Sequence, residues 1–191
     1  MAKDGPIEFA VLLGSLRKAS FNAMIARALP ELAPDGVTVR LLDSVGDYPH
    51  YDADLQAEGF PAIVTRTADA IRSADALVFV TPEYNYSIPG ALKNAIDWLS
   101  RPADDIPRVF GGRPFALAGA SPGGFGTVLS QAHWLPVLKT LGVDLWAGGR
   151  LLASRSGSLF DADGALVDDK LRTQLAAFVQ GFAGYVAGKR G

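Results

Sequence analysis

Short continuous apolar runs alternate along this chain with stretches whose apolar residues recur every three or four positions. The runs Ile7–Leu13, Val37–Leu42, Ala76–Thr81, Arg113–Ala120 and Val143–Trp146 predict five β-strands. Between them, periodic stretches predict helices. Phe21, Ile25, Ala28 and Leu29 share one face, as do Phe60, Ile63, Val64, Ala68 and Ile71. Ile88, Leu92, Ile96 and Leu99 form a third face, and Leu171, Leu175, Phe178, Val179 and Phe182 a last one. The stretch Gly126–Leu141 is also helical in pattern, with Pro136 placed to kink or split it. Strands alternating with helices predict an α/β fold, a doubly wound five-stranded parallel sheet with helices on both faces. The unbroken apolar character of the first, third and fourth strands fits burial on both faces. No repeat or low-complexity linker divides the 191 residues, so one domain is expected over 1–191. Ser154–Asp169, polar and rich in Gly and Asp, reads as a surface excursion before the last helix.

Composition narrows the function classes. Net charge is −2, from 18 basic and 20 acidic residues, without the basic excess of a sequence-independent nucleic-acid binder. The chain has no cysteine, which excludes disulfides, thiol catalysis and iron–sulfur clusters. The opening MAKDGPIEF lacks the apolar core of a signal peptide. Apolar runs such as Phe9–Leu13 and Phe115–Ala118 are too short to span a bilayer. A cytoplasmic protein, off the membrane, is the expectation.

Three segments carry candidate chemistry. Gly14 to Asn22 leaves the first strand and opens the first helix, with Ser20 as a good N-cap residue. Helix-start N–H groups, three hydroxyl or amide side chains and the Arg17 guanidinium make an anion cradle there. The loop is neither GxGxxG nor GxxxxGK[ST], which disfavours a Rossmann dinucleotide site and a Walker NTPase. An ordinary capped helix with a solvated Arg-Lys pair is the alternative. The second segment, Pro82-Glu83-Tyr84-Asn85-Tyr86-Ser87, sets rings and amide groups at the end of the third strand; a turn whose aromatics pack on a neighbouring subunit or loop is its plainer reading. In the strand order 2-1-3-4-5, strands one and three are neighbours and the switch point lies between them, where ligands bind. The third, Ser121 to Gly126, would let backbone approach a flat ligand; a flexible turn is its plainer reading. Together the three loops fit a mononucleotide with a planar head, such as FMN. A flavin brings its own redox chemistry, so the absence of a catalytic triad or metal cluster is expected.

Other polar features carry less. His50 and His133 lack metal-ligand spacing and read as structural or surface residues. Asp161-Ala162-Asp163-Gly164 reads as a turn, not a calcium loop, and Tyr51-Asp52-Ala53-Asp54 as solvated loop acids. Trp98, Trp134 and Trp146 read as core or interface residues. Arg101, after the third helix, is a low-ranking candidate for steering substrate; no other catalytic side chain is expected and no metal.

GSLRKASFN and TPEYNYSIPGALKNAIDWLSR resemble the motifs of the NADPH-dependent FMN reductase family, and the chain looks most similar to its chromate/quinone reductase branch. The resemblance covers Ile7 to Trp146, with Ser121–Gly126 a looser match to a third flavin loop. It implies a flavodoxin-like fold and bound FMN. It places Ser15, Arg17, Ser20 and Asn22 at the phosphate, with Leu16 and Phe21 in the same loop. Pro82, Glu83, Tyr84, Asn85, Tyr86 and Ser87 would border the isoalloxazine and ribityl chain, and Ser121 and Gly123 the ring system. It also implies a homodimer able to pair into a tetramer. Ala132 and Pro136 depart from the longer polar residues of such tetramer contacts.

The leading expectation is an NAD(P)H:acceptor oxidoreductase, with NADPH or NADH as donor and ping-pong transfer through FMN to a quinone or an oxidised metal species such as chromate. The alternatives are a flavodoxin-type electron carrier and an FMN-stabilised sensing or binding module.

Overall fold

The computed structural model of the protein describes residues 5–190. The expectation for the first four residues lies outside them. Strands β1 (Ile7–Leu13), β2 (Val37–Leu41), β3 (Ala76–Val80), β4 (Pro114–Ala120) and β5 (Asp144–Leu145) form a parallel sheet in the order β2-β1-β3-β4-β5. The register runs Phe9↔Ala76 between β1 and β3, and Leu77↔Phe115 between β3 and β4. The expected flavodoxin-like doubly wound order is thus the one observed.

The sheet also has a strand that the pattern does not reveal. β6 (Leu151–Ala153) pairs with β4 through Ala118↔Leu151 and Ala120↔Ala153. The fifth strand is shorter than expected because the chain leaves the sheet at Trp146. A Cβ on Gly149 would come within 2.6 Å of the Trp146 indole, so this exit turn needs glycine there.

Among the described residues, seven α-helices flank the sheet: α1 (Phe21–Glu31), α2 (Ala53–Glu58), α3 (Ala62–Ser73), α4 (Gly90–Leu99), α5 (Ile106–Val109), α6 (Val128–Leu141) and α7 (Asp169–Ala187). Every residue of β3 is buried. Its Val78 and Val80 point into the core that holds Phe9, Ile25, Leu175 and Phe182. Its Leu77 and Phe79 point into the opposite core, with Leu12, Ile71, Trp98 and Trp134. That split is the two-residue period of a strand covered on both faces. Phe79 meets Phe115 and Trp134 edge-on, with centroids 4.6 and 5.1 Å away.

Two expectations are corrected. Pro136 does not split its helix: α6 runs unbroken through it for 14 residues. Pro136 lies on the exposed side, where an unbonded carbonyl can be solvated, and its own carbonyl accepts from the Thr140 hydroxyl at 3.0 Å. The Ser154–Asp169 stretch is not merely a surface excursion. Ser156, Phe160 and Leu166 are buried, and Phe160 stacks on Phe21 with centroids 6.1 Å apart. Among the described residues no helix is long and apolar enough to cross a membrane.

Candidate active site

A parallel sheet gathers all its carboxyl ends on one side, and β1, β3 and β4 lie side by side. The loops that leave them, residues 14–20, 81–89 and 121–127, are therefore neighbours.

The first loop is fixed at its root. The Gly14 N–H donates to the Val80 carbonyl at 2.9 Å. A Cβ on Gly14 would lie 2.9 Å from Leu92 and 3.0 Å from Pro82, so only glycine lets the first two loops meet this closely. Ser20 is the N-cap of α1, and its Oγ accepts from the Ala23 N–H at 2.9 Å. Ser15 is buried, while Leu16, Arg17 and Lys18 are exposed. The backbone N–H groups of residues 15–19, Phe21 and Asn22 have no partner among the described residues. They form a run of unused donors at the positive end of α1. Arg17 makes no ion pair among the described residues; its guanidinium carbon lies 5.9 Å from the Phe21 ring centroid.

Asn22 ties the first loop to the third. Its Nδ2 donates to the Ala120 carbonyl and its Oδ1 accepts from the Ala120 N–H, both at 2.9 Å. The buried side chain ties α1 to the end of β4.

In the second loop, the Tyr84 and Ser87 main chains exchange hydrogen bonds of 3.1 and 2.9 Å. Asn85 and Tyr86 sit at the tip with φ of 50° and 60°. Positive φ at both tip residues is the mark of a tight primed turn; Asn tolerates it and a tyrosine does so at a cost. The turn holds the Tyr84 and Tyr86 rings out, 51% and 75% exposed. Glu83 turns the other way. Its Oε2 accepts from the N–H groups of Leu129 and Ser130, at 2.9 and 3.0 Å. It thus caps α6, whose own Thr127 supplies no side-chain cap. Beneath the loop, the buried Trp134 Nε1 donates to Thr81 Oγ1 at 3.1 Å, and the hydroxyls of Thr81 and Ser130 are 3.1 Å apart. Ser87 Oγ lies 3.0 Å from Nδ1 of His133 on α6.

The third loop is held from behind. Ser121 Oγ accepts from the Gly123 N–H at 3.0 Å. The Ser121 carbonyl accepts from both the N–H and the hydroxyl of Ser156, and the Gly123 carbonyl accepts from the Arg155 N–H. Phe125, 82% exposed, stands at the loop's outer edge.

The structure thus brings Ser15–Asn22, Pro82–Ser87 and Ser121–Gly123 to one side of the sheet. Arg101 is not among them. It follows the far end of α4, where its Nε donates to the Tyr51 hydroxyl at 3.2 Å and its guanidinium covers the Tyr51 ring. Sequence reasoning passed over His133 and Ser156, whose contacts bridge 46 and 35 positions. It also treated Glu83 as a ligand contact and not as a cap. A hollow of about 480 Å³ lies elsewhere, lined by Trp146, Gly149, Arg150, Leu151, Gln174 and Phe178 among others, away from these three loops. Among the described residues no three potential metal ligands cluster.

Unused N–H donors and Arg17 at one end, and exposed rings with bare glycine backbone at the other, fit a planar ligand that carries a phosphate. The comparisons with known proteins agree. Residues 7–155 match the family described as NADPH-dependent FMN reductase. A quinone reductase of Escherichia coli is 51% identical over 133 residues, 69% of each chain. An NAD(P)H-dependent FMN reductase of Pseudomonas aeruginosa is 43% identical over 178 residues, 93% of this chain and 94% of its own. The solved structure of FerB, a flavoenzyme NAD(P)H:acceptor oxidoreductase of Paracoccus denitrificans, superposes with a TM-score of 0.85 at 37% identity, covering 95% of this chain and 98% of that one. The chain belongs to the NADPH-dependent FMN reductase family and is an FMN-dependent, NAD(P)H-using oxidoreductase.

Proposed function

We propose that the three-loop crevice holds one FMN and that the protein uses it to pass electrons from NAD(P)H to quinones. The observation that carries this reading is the set of unpaired N–H groups at residues 15–19, Phe21 and Asn22 beside Arg17. Those donors, the Ser15 and Ser20 hydroxyls and the Arg17 fork would hold the phosphate. Leu16 and Phe21 would shape that end. Pro82, Tyr84, Asn85, Tyr86 and Ser87 would border the ring and ribityl chain, and Ser121 and Gly123 would line the other side. Glu83 would serve by fixing α6 behind the loop, and Asn22 by fixing the first loop to the third. Bound there, the flavin would accept hydride from NAD(P)H and deliver electrons onward.

Tyr84, Tyr86 and Phe125 leave one wide, exposed face for both the nicotinamide and the acceptor. Donor and acceptor would take turns on it, which gives ping-pong kinetics. Oxidised metal anions such as chromate form a second acceptor class for the same face. We place the protein in the cytoplasm as a single-domain chain that pairs into a homodimer, with Leu129 and Leu135 among its exposed apolar side chains.

FMN titration followed by flavin fluorescence tests this assignment. Wild type should bind with one site per chain, and Arg17→Ala should bind at least tenfold more weakly, the loss of one charge-assisted contact. Equal affinity in both proteins would remove the phosphate from this loop.

A further inference from the structure

Reducing a quinone by two electrons requires two hydrogens. In the reading above, which this inference rests on, one arrives as hydride from the reduced cofactor; the other must arrive as a proton. We propose that Ser87 delivers that proton and that His133 resupplies it.

The geometry is specific. Ser87 Oγ and His133 Nδ1 are 3.0 Å apart, within hydrogen-bond reach. Ser87 stands at the base of the Tyr84–Ser87 turn, held there by two main-chain hydrogen bonds to Tyr84. It is half-buried beside the two outward rings. His133 lies behind it on α6 and is exposed, so water reaches the imidazole. Imidazole is the side chain that changes charge near neutral pH. Glu83 caps the first turn of α6 through Leu129 and Ser130, so Ser87 and His133 sit on two elements already locked together.

The step balances. The quinone oxygen takes the Ser87 hydroxyl proton as the hydride arrives. Ser87 takes the proton from Nδ1 of the imidazolium. His133 becomes neutral and is recharged from solvent. Hydroquinone and oxidised nicotinamide are the products, and one proton per turnover is drawn from water.

The charged and titratable groups on the second loop, α4 and α6 do not duplicate this path. From the second loop they are Glu83, engaged by the two α6 N–H groups, and the exposed Tyr84 and Tyr86. From α4, across a groove that Pro136 also lines, they are Lys93 and Asp97, paired with each other at 2.5 Å. On α6 itself the next is Lys139, nearly two turns further on.

The test compares two acceptors on the FMN-loaded enzyme. Benzoquinone needs a proton and ferricyanide takes electrons alone, so the ratio of their turnover rates reports the proton step. His133→Gln can still donate a hydrogen bond to Ser87 but cannot pass a proton on to it. It should lower the ratio about tenfold, a modest share of what a positioned acid contributes. Ser87→Ala should lower the ratio to the same level, which guards against a misfolded single variant. A ratio unchanged in both variants, with ferricyanide turnover intact, overturns the relay and leaves the flavin assignment standing. A wild type that binds FMN but reduces neither acceptor overturns the proposed oxidoreductase reaction, and the relay with it.

Discussion

The Asn22 side-chain amide and the Ala120 main chain form a closed pair of hydrogen bonds, 2.9 Å in each direction, across 98 positions of sequence. One buried side chain thereby satisfies an N–H and a carbonyl at the end of β4, and joins the first crevice loop to the third. Asn22→Ala leaves both groups buried and unpaired, and should cost roughly 3 kcal/mol of stability. Asn22→Asp should not restore it, since a carboxylate oxygen would then face the Ala120 carbonyl. Urea midpoints of the two variants check this, and FMN affinity should drop with them.

Tyr86 holds a backbone angle that suits glycine, with φ of 60°. Its ring is three-quarters exposed, so little packing offsets that strain. Tyr86→Gly should raise stability by roughly 0.5 kcal/mol, strain relief less the added freedom of the unfolded chain. The same variant should weaken flavin or quinone binding. A thermal melt and a KM for benzoquinone, measured on one preparation, would show the two effects with opposite sign.

Gly119 packs where β4 passes the second loop. A Cβ there would overlap Thr127 Oγ1 and the Thr81 carbonyl, the second of which belongs to fixed backbone. Gly119→Ala should therefore destabilise by about 3 kcal/mol, or give an insoluble product. Thr127→Ser keeps the hydroxyl, so it should not rescue; Thr127→Ala removes one clash and should recover part of the loss.

Burial pushes the Tyr48 phenol up to about 12. Its hydroxyl and that of Thr67 are buried without a well-formed hydrogen bond. The unfolded chain releases this proton from about pH 10 while the folded chain retains it to about 12. Stability should hold below pH 10 and fall by about 2 kcal/mol as pH rises to 12. Tyr48→Phe should remove that alkaline loss. At neutral pH it should be neutral or slightly stabilising, because it deletes an unpaired buried hydroxyl. Denaturation midpoints across the alkaline range read both effects.

The parts legible in the sequence were those encoded locally. Five apolar runs gave the strands, Ser20 marked the start of α1, and the three loops fell at strand ends because each strand's apolar run stops abruptly. What was hidden depended on distant pairing. β6 is three residues long, too short for a periodic signal, and it forms because β4 offers a free edge beside Ala118–Ala120. Pro136 reads as a helix breaker, yet on an exposed face one missing bond is tolerated. Asn22, Glu83, His133 and Ser156 each act on a partner at least 35 positions away, and no local spacing announces such contacts. Arg101, a cation that the pattern offered to substrate, rests over the Tyr51 ring at the far end of α4.

The most direct measurement of the central claim is an anaerobic stopped-flow experiment on FMN-loaded protein, mixed first with NADPH and then with benzoquinone. Stoichiometric bleaching of the flavin absorbance by NADPH, followed by full recovery on adding quinone with no nicotinamide present, is the predicted result. A flavin that stays oxidised with NADPH, or a reduced one that the quinone leaves unchanged, would contradict the account.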